Sequence, residues 1–146
     1  MSAPLKRVLF VCLGNSCRSQ MAEAFARAHG SDVIIPSSAG LTPARGIAPD
    51  TLRAMSEKGL DLSEHFPKSL RRLDRARFDL VINMSGFELP DSLGQEVRAW
   101  DIPDPVFLEY EEHCEVRDAI ERLVRNLILE LRREQDPAQL PRSSRL

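Results

Sequence analysis

Apolar residues follow two alternating rhythms along this chain: short dense runs, and longer stretches repeating at helical spacing. Lys6–Cys12 (KRVLFVC) is a run dense in β-branched and aromatic side chains, the mark of a strand buried in a parallel sheet. Met21, Ala22, Phe25 and Ala28 then recur at helical intervals, predicting a helix over 17–29. Val33–Pro36 predicts a short second strand, closed by Ser37–Gly40. Residues 41–50, with several Gly and Pro, predict a loop until Pro49 opens a helix over 50–58, which the turn 59–63 ends. Asp79–Asn83 (DLVIN) reads as a third strand and Glu96–Ala99 as a fourth. Asp101–Pro105 (DIPDP) cannot continue a central strand, because proline removes ladder donors and fixes the backbone. Val116, Ala119, Ile120, Leu123, Val124, Leu127, Ile128 and Leu131 place an apolar stripe on one long helix. Its other face carries Arg117, Asp118, Glu121, Arg122, Arg125 and Glu130, which are assigned to solvent.

Strands alternating with helices imply an α/β fold, a three-layer sandwich with a small, mainly parallel four-stranded sheet flanked by helices. Residues 1–135 are expected to form one catalytic domain and 136–146 (DPAQLPRSSRL) a polar C-terminal tail. In such sheets the site lies beyond the carboxyl ends of the strands. The polar clusters Cys12–Ser19 and Asp101–Pro105 both follow predicted strands, so they are candidates for one rim.

Composition narrows the function classes. The 146 residues carry 20 Lys+Arg against 22 Asp+Glu, a formal charge of -2, which gives no electrostatic case for nucleic acid or an anionic membrane as partner. No run reaches the roughly 18 apolar residues of a spanning helix. The early apolar run ends in Gly–Asn and is better read as a core strand than as a secretion signal. Three cysteines are too few and too odd for a disulfide scaffold, so a reducing cytoplasm is the expectation. They also lack paired metal-ligand spacing, so neither metal nor cofactor is expected.

The chemistry concentrates in Val11–Ser19 (VCLGNSCRS). A chain leaving a strand for a helix through Leu–Gly–Asn–Ser can turn successive N–H groups inward and, with the helix start, form an anion cradle. Its expected members are Leu13, Gly14, Asn15, Ser16, Cys17, Arg18 and Ser19. Gly14 would permit close approach or positive φ, and Asn15 tolerates left-handed geometry. Arg18, a cation in the first helical turn, is disfavoured there unless something negative sits beside it, and a tetrahedral oxyanion would match its guanidinium fork. Amides, Arg18 and the Ser19 hydroxyl would stabilise a Cys12 thiolate, making it a nucleophile rather than a packing residue. Cys17 is a candidate redox partner that approaches Cys12, with a packing role at the helix start as the alternative. A nucleotide P-loop is excluded by the missing Gly–Lys–Ser/Thr ending.

Val11–Glu23 (VCLGNSCRSQMAE) resembles the phosphate-binding loop and first helix of the low-molecular-weight protein tyrosine phosphatase family, which includes related arsenate reductases. Ser37–Leu41 (SSAGL) and the downstream Asp–Pro extend the resemblance over most of residues 5–132. A phosphomonoester also needs its departing oxygen protonated, and the WDIPDPVF segment offers Asp101 or Asp104 for this. The family's acid lies in an Asp–Pro pair, so the resemblance implies Asp104. It likewise implies that Ser38 and Asn15 hold the cradle and that His65 hydrogen-bonds the Asn-bearing loop.

Two departures bear on the reaction. The loop 41–50 lacks an aromatic, and Asp104–Pro105 leads to Val106–Phe107 rather than tyrosines; Leu13 and Phe107 supply part of an apolar wall for a phosphotyrosine ring, and the missing aromatics weigh against a preference for it. Gln20 after CRS is similar to arsenate reductases, but thioredoxin-coupled members carry a cysteine pair after the third strand. Here that segment is Ile82–Gly86 (INMSG), without one. The missing pair favours a phosphoric monoester hydrolase working through a phosphocysteine, acting on a phosphorylated protein or a small aryl phosphate. The alternative is an arsenate reductase using the same Cys12, with electrons from Cys17, Cys114, a low-molecular-weight thiol, or thioredoxin or glutaredoxin.

Overall fold

The computed structural model describes residues 4–73 and 77–136. Four strands form one sheet: β1 (Lys6–Cys12), β2 (Ile34–Gly40), β3 (Phe78–Asn83) and β4 (Gly94–Ala99). All pairings are parallel, in the order β2-β1-β3-β4. Among the described residues three helices accompany them: α1 (Arg18–Gly30), α2 (Pro49–Ser56) and α3 (Tyr110–Gln135). Among the described residues no helix is long and apolar enough to cross a membrane. Of the expected tail, residues 137–146 lie outside the described residues.

Alternation along the buried strands divides the core in two. Val8, Phe10, Leu80 and Ile82 face the helices and join Met21, Phe25, Met55 and the α3 stripe in one large cluster. Leu9, Val11, Val81 and Leu93 face the other way, where Leu70, Leu73 and Leu89 cover them. This second outer layer is built from loops and short 3-10 turns, among them Leu70–Leu73. Each fully buried Leu, Ile or Phe contributes roughly 1.5–3 kcal/mol, and such residues lock β1 and α1 rigidly together.

Two sequence expectations need correction here. The second strand does not stop at Pro36. It runs on to Gly40, because the β1–β2 ladder pairs residue for residue as far as Cys12 with Gly40, and a backbone ladder accepts Ser37 and Ser38 as readily as apolar residues. Arg117 does not belong to the solvated face of α3. It is 8% exposed, and its guanidinium donates to the Ala54 carbonyl (2.9 Å) and to Glu57 (3.1 Å), tying α3 to the end of α2.

The chain leaves β1 for β2 in one direction and reaches β3 on the other side. The sheet's topological switch point therefore lies between the carboxyl ends of β1 and β3, where this architecture opens a crevice.

Candidate functional site

Residues 13–17 fill that crevice. Four of their five backbone carbonyls are committed outward, to the β2–α2 connection and to α1. The carbonyl of Leu13 accepts from Thr42 N–H (2.9 Å), that of Gly14 from Ala44 (2.9 Å), that of Ser16 from Ala48 (3.2 Å) and that of Cys17 from Met21 (3.0 Å). No backbone N–H of residues 13–17 finds an acceptor among the described residues. A loop that spends its carbonyls and keeps its amides has the hydrogen-bonding character of an anion receptor.

Asn15 makes this shape possible. It takes the left-handed conformation (φ 51°), which asparagine tolerates better than most residues. Its fully buried side chain knits the loop: Nδ2 donates to Ser19 Oγ (2.7 Å), while Oδ1 accepts from Gln20 Nε2 (3.0 Å) and Lys68 N–H (2.8 Å). Gly14 does not take the positive φ that was one of its two expected uses. An added Cβ there would meet only ordinary contacts, the nearest being Ser16 Oγ at 3.5 Å. The glycine the loop requires is Gly40, where a Cβ would lie 2.8 Å from the Leu13 carbonyl oxygen and 2.9 Å from Asn15 N.

The Cys12 sulfur, at the end of β1, lies 2.9 Å from Ser19 Oγ. Asn15 Nδ2 already occupies a lone pair of that oxygen, which leaves the Ser19 hydroxyl proton free to point at sulfur. Arg18 is 6% exposed and held on three sides: Nη1 donates to the carbonyls of Met84 and Ile102 (3.0 Å), and Nη2 lies 3.5 Å from Asp104 Oδ2. Its Nε is buried with no partner, an unspent donor of the kind an oxyanion takes up. Asp104 Oδ1 accepts from Val106 N–H (3.2 Å), capping the turn Pro105–Phe107 and orienting the carboxylate.

Cys12, Leu13, Cys17, Arg18, Asp104 and Phe107 line one cavity of about 250 Å³. The fold thus brings residues 12–18 and Asp104 together across some ninety positions of sequence. Asp101 lies apart, with Trp100 and the segment Asn83–Leu89, around a neighbouring cavity of about 840 Å³ that shares only Arg18 with the first. His65 reaches the loop at one remove: its Nδ1 pairs with Gln20 Oε1 (3.1 Å), and Gln20 carries the contact on to Asn15. Ser38 is fully buried beside the loop, but its Oγ has no hydrogen-bond partner. Cys114 is on α3 near Glu57 (4.0 Å) and does not line the cavity.

Sequence reasoning missed the site's underside. Cys17 is 3% exposed, and burial pushes its thiol above the ordinary value despite the nearby Thr51 and Ser16 hydroxyls. Thr51, fully buried on α2, is 2.9 Å through its Oγ1 from Nε2 of His113, which is 1% exposed on α3. Burial holds this imidazole below its ordinary pKa, against the pull of Asp50, the Pro105 carbonyl and Asp104. The one available signal was a polar pair on otherwise apolar faces of two helices, 62 residues apart.

Comparison with known proteins fits this geometry. A family model described as low molecular weight phosphotyrosine protein phosphatase matches residues 7–137. The chain is 34% identical over 131 residues to the glutaredoxin arsenate reductase of Synechocystis, covering 87% of this chain and 99% of that protein. It is 32% identical over 125 residues to arsenate reductase 1 of Staphylococcus epidermidis, covering 82% and 92%. A solved structure of an arsenate reductase in the phosphate binding state superposes with a TM-score of 0.80 at 34% identity, covering 87% of this chain and 99% of that one. These relatives overturn the expectation of phosphomonoester hydrolysis as the primary activity. The argument from the missing cysteine pair fails for a physical reason: the second thiol of a reductase need not follow the third strand, nor belong to the chain. A cradle for tetrahedral oxyanions serves either reaction, and what differs is the step after sulfur has attacked.

Proposed function

We propose, from the premise that the chain belongs to the low-molecular-weight phosphotyrosine protein phosphatase family, that it is an arsenate reductase drawing its electrons from thiols. The supporting observation is the amide-lined loop against the Cys12 sulfur, combined with reductases as its relatives.

Arsenate enters with its oxygens on the free amides of residues 13–17 and the Arg18 guanidinium, and its arsenic in front of Cys12 Sγ. Fixed donors stabilise the charge as it redistributes, with no reorganisation at the moment of reaction. The Ser19 hydroxyl, 2.9 Å from Cys12 Sγ, is placed to donate to the sulfur. Sulfur bonds to arsenic, and Asp104 gives a proton to the departing oxygen, which leaves as water. A thiol then attacks the Cys12 sulfur. The sulfur–arsenic bond breaks with its electron pair left on arsenic, so As(V) becomes As(III) and leaves as arsenite, while two thiols become one disulfide. An external thiol of the glutathione–glutaredoxin class restores Cys12. Leu13 and Phe107 form the apolar side of the mouth.

The test is arsenite production from arsenate in the presence of glutathione and glutaredoxin, with thioredoxin and mycothiol systems run in parallel. Wild type is expected to form arsenite with at least one system, and Cys12→Ser none. Absence of arsenite with every reductant contradicts the reading.

A further inference from the structure

Arsenate reduction as described uses the smaller cavity and leaves the larger one beside it without a role. That larger space, about 840 Å³, is lined by residues at the ends of β3 and β4 and meets the Cys12 cavity at Arg18. Volumes of roughly 300–1,000 Å³ are those of small-molecule sites, and arsenate alone needs only the cavity of about 250 Å³. The larger walls are preformed. After β3 the chain closes a turn on itself: Asn83 Nδ2 donates to the Phe87 carbonyl (2.6 Å), and Asn83 Oδ1 accepts from Ser85 N–H (3.0 Å) and from its hydroxyl (2.6 Å). Gly86 supplies the positive φ (82°) that this turn requires. The turn spends its polar side chains internally and brings Phe87, 59% exposed, to the cavity, which Trp100 also lines.

What remains unspent in this cavity defines its ligand. Glu88 and Asp101 are exposed, and their carboxylates make no hydrogen bond or ion pair among the described residues. Free carboxylates accept from ammonium or hydroxyl groups and repel anions, while aromatic faces take up apolar surface. A second oxyanion is therefore disfavoured here. Arg18, 6% exposed with its Nε unpartnered, is the boundary with the reacting sulfur. Cys12 is only 2% exposed, so an attacking thiol must be carried on a body slender enough to let its sulfur down to it. A tripeptide-sized molecule spans about 10 Å when extended, longer than the one arginine side chain the two cavities share.

Resting on the reductase reading, we infer that the larger cavity binds the reducing thiol itself: a low-molecular-weight thiol whose donor groups engage Glu88 and Asp101, whose apolar part lies on Phe87 and Trp100, and whose sulfur passes Arg18 to reach Cys12. The donors are the ammonium of a glutathione-type peptide or the hydroxyls of a mycothiol-type sugar. The thiol sulfur bonds to Cys12 Sγ as the sulfur–arsenic bond breaks. That bond's electron pair stays on arsenic, which leaves as arsenite, and the thiol proton goes to an arsenite oxygen. Cys12 is left as a mixed disulfide with the small thiol. A second thiol, free or on glutaredoxin, exchanges it off, so two thiols are oxidised to one disulfide for each arsenate reduced.

The experiment is a single turnover of protein saturated with arsenate, in which the rate of arsenite release is followed against the concentration of glutathione, N-acetylglutathione or mycothiol. Wild type is expected to saturate with glutathione or mycothiol and to carry that thiol on Cys12, as read by intact mass. Glu88→Gln combined with Asp101→Asn should raise the half-saturating concentration roughly 10-fold, leaving the rate at saturation and the affinity for arsenate unchanged. Phe87→Ala should raise it less, in the same direction. N-acetylglutathione separates the two sources. If the ammonium is the donor, acetylation weakens wild type and leaves the double variant unaffected; if hydroxyls are, the double variant loses affinity for mycothiol alone. A half-saturating concentration that the double variant changes for neither thiol overturns the proposal. So does arsenite released with no thiol added, or released only when a protein dithiol such as thioredoxin is supplied. Those results leave the reductase reading standing, whereas no arsenite with any reductant overturns both.

Discussion

The cradle and the underside on which it rests solve opposite problems. In residues 12–19 carbonyls are spent outward so that a row of amides and the Arg18 Nε stay unpaired, ready for a ligand's charge. Behind it, buried polar groups meet partners across helices: Thr51 Oγ1 pairs with His113 Nε2 (2.9 Å), and Arg117 donates to the Ala54 carbonyl (2.9 Å). The first region keeps donors that an anion can take up; the second pairs most of its polar atoms within the protein.

Substitutions sharpen this contrast, and the largest effects belong to the cradle. Cys12→Ser is expected to abolish arsenite formation while arsenate and phosphate still bind, as checked by calorimetric titration. Asp104→Asn should lower turnover roughly 100-fold or more without weakening anion affinity, a split visible in kcat against KM. Gly40→Ala places a Cβ against the backbone at Leu13 and Asn15, which cannot give way as a flexible side chain would. It should cost about 1–3 kcal/mol in denaturant unfolding and reduce anion binding in parallel, whereas Gly14→Ala, with ordinary contacts, should cost far less in stability.

The smallest expected effect lies far from both regions. Arg98 of β4 clasps Glu130 of α3 with two hydrogen bonds (2.9 and 2.6 Å), which hold the Glu130 carboxyl below its ordinary value. A carboxyl depressed in the folded state contributes stability above its unfolded pKa and loses it as pH falls through the folded one. Glu130→Gln is therefore expected to destabilise by less than about 1 kcal/mol at neutral pH and to flatten the acid limb of unfolding below about pH 4.5.

How much of this was legible follows the same division. The cradle is local: Cys12, Asn15, Arg18 and Ser19 lie within eight residues, so their spacing alone suggested a thiolate beside an anion site. Asp104 was legible because the resemblance points to an Asp–Pro pair, in a segment that its prolines mark as loop. Gly40 was hidden, since the contact that demands glycine comes from a loop 25 positions earlier. Thr51, His113 and Arg117 were hidden for the reason that makes them interesting. Helical periodicity reports which face is apolar, and a polar residue on that face looks like noise until a partner from another helix is placed opposite it. The expected reaction was overturned by the relatives because a cradle for tetrahedral oxyanions does not distinguish phosphate from arsenate, and the electron source need not be written in the chain.

The most direct test is a crystal structure of Cys12→Ser with arsenate bound. The account predicts arsenic in front of residue 12, its oxygens within hydrogen-bonding distance of the amides of residues 13–17 and of Arg18 Nε, and Asp104 facing the oxygen opposite residue 12. Arsenate bound elsewhere, or a loop whose carbonyls turn inward to exclude it, would contradict the account.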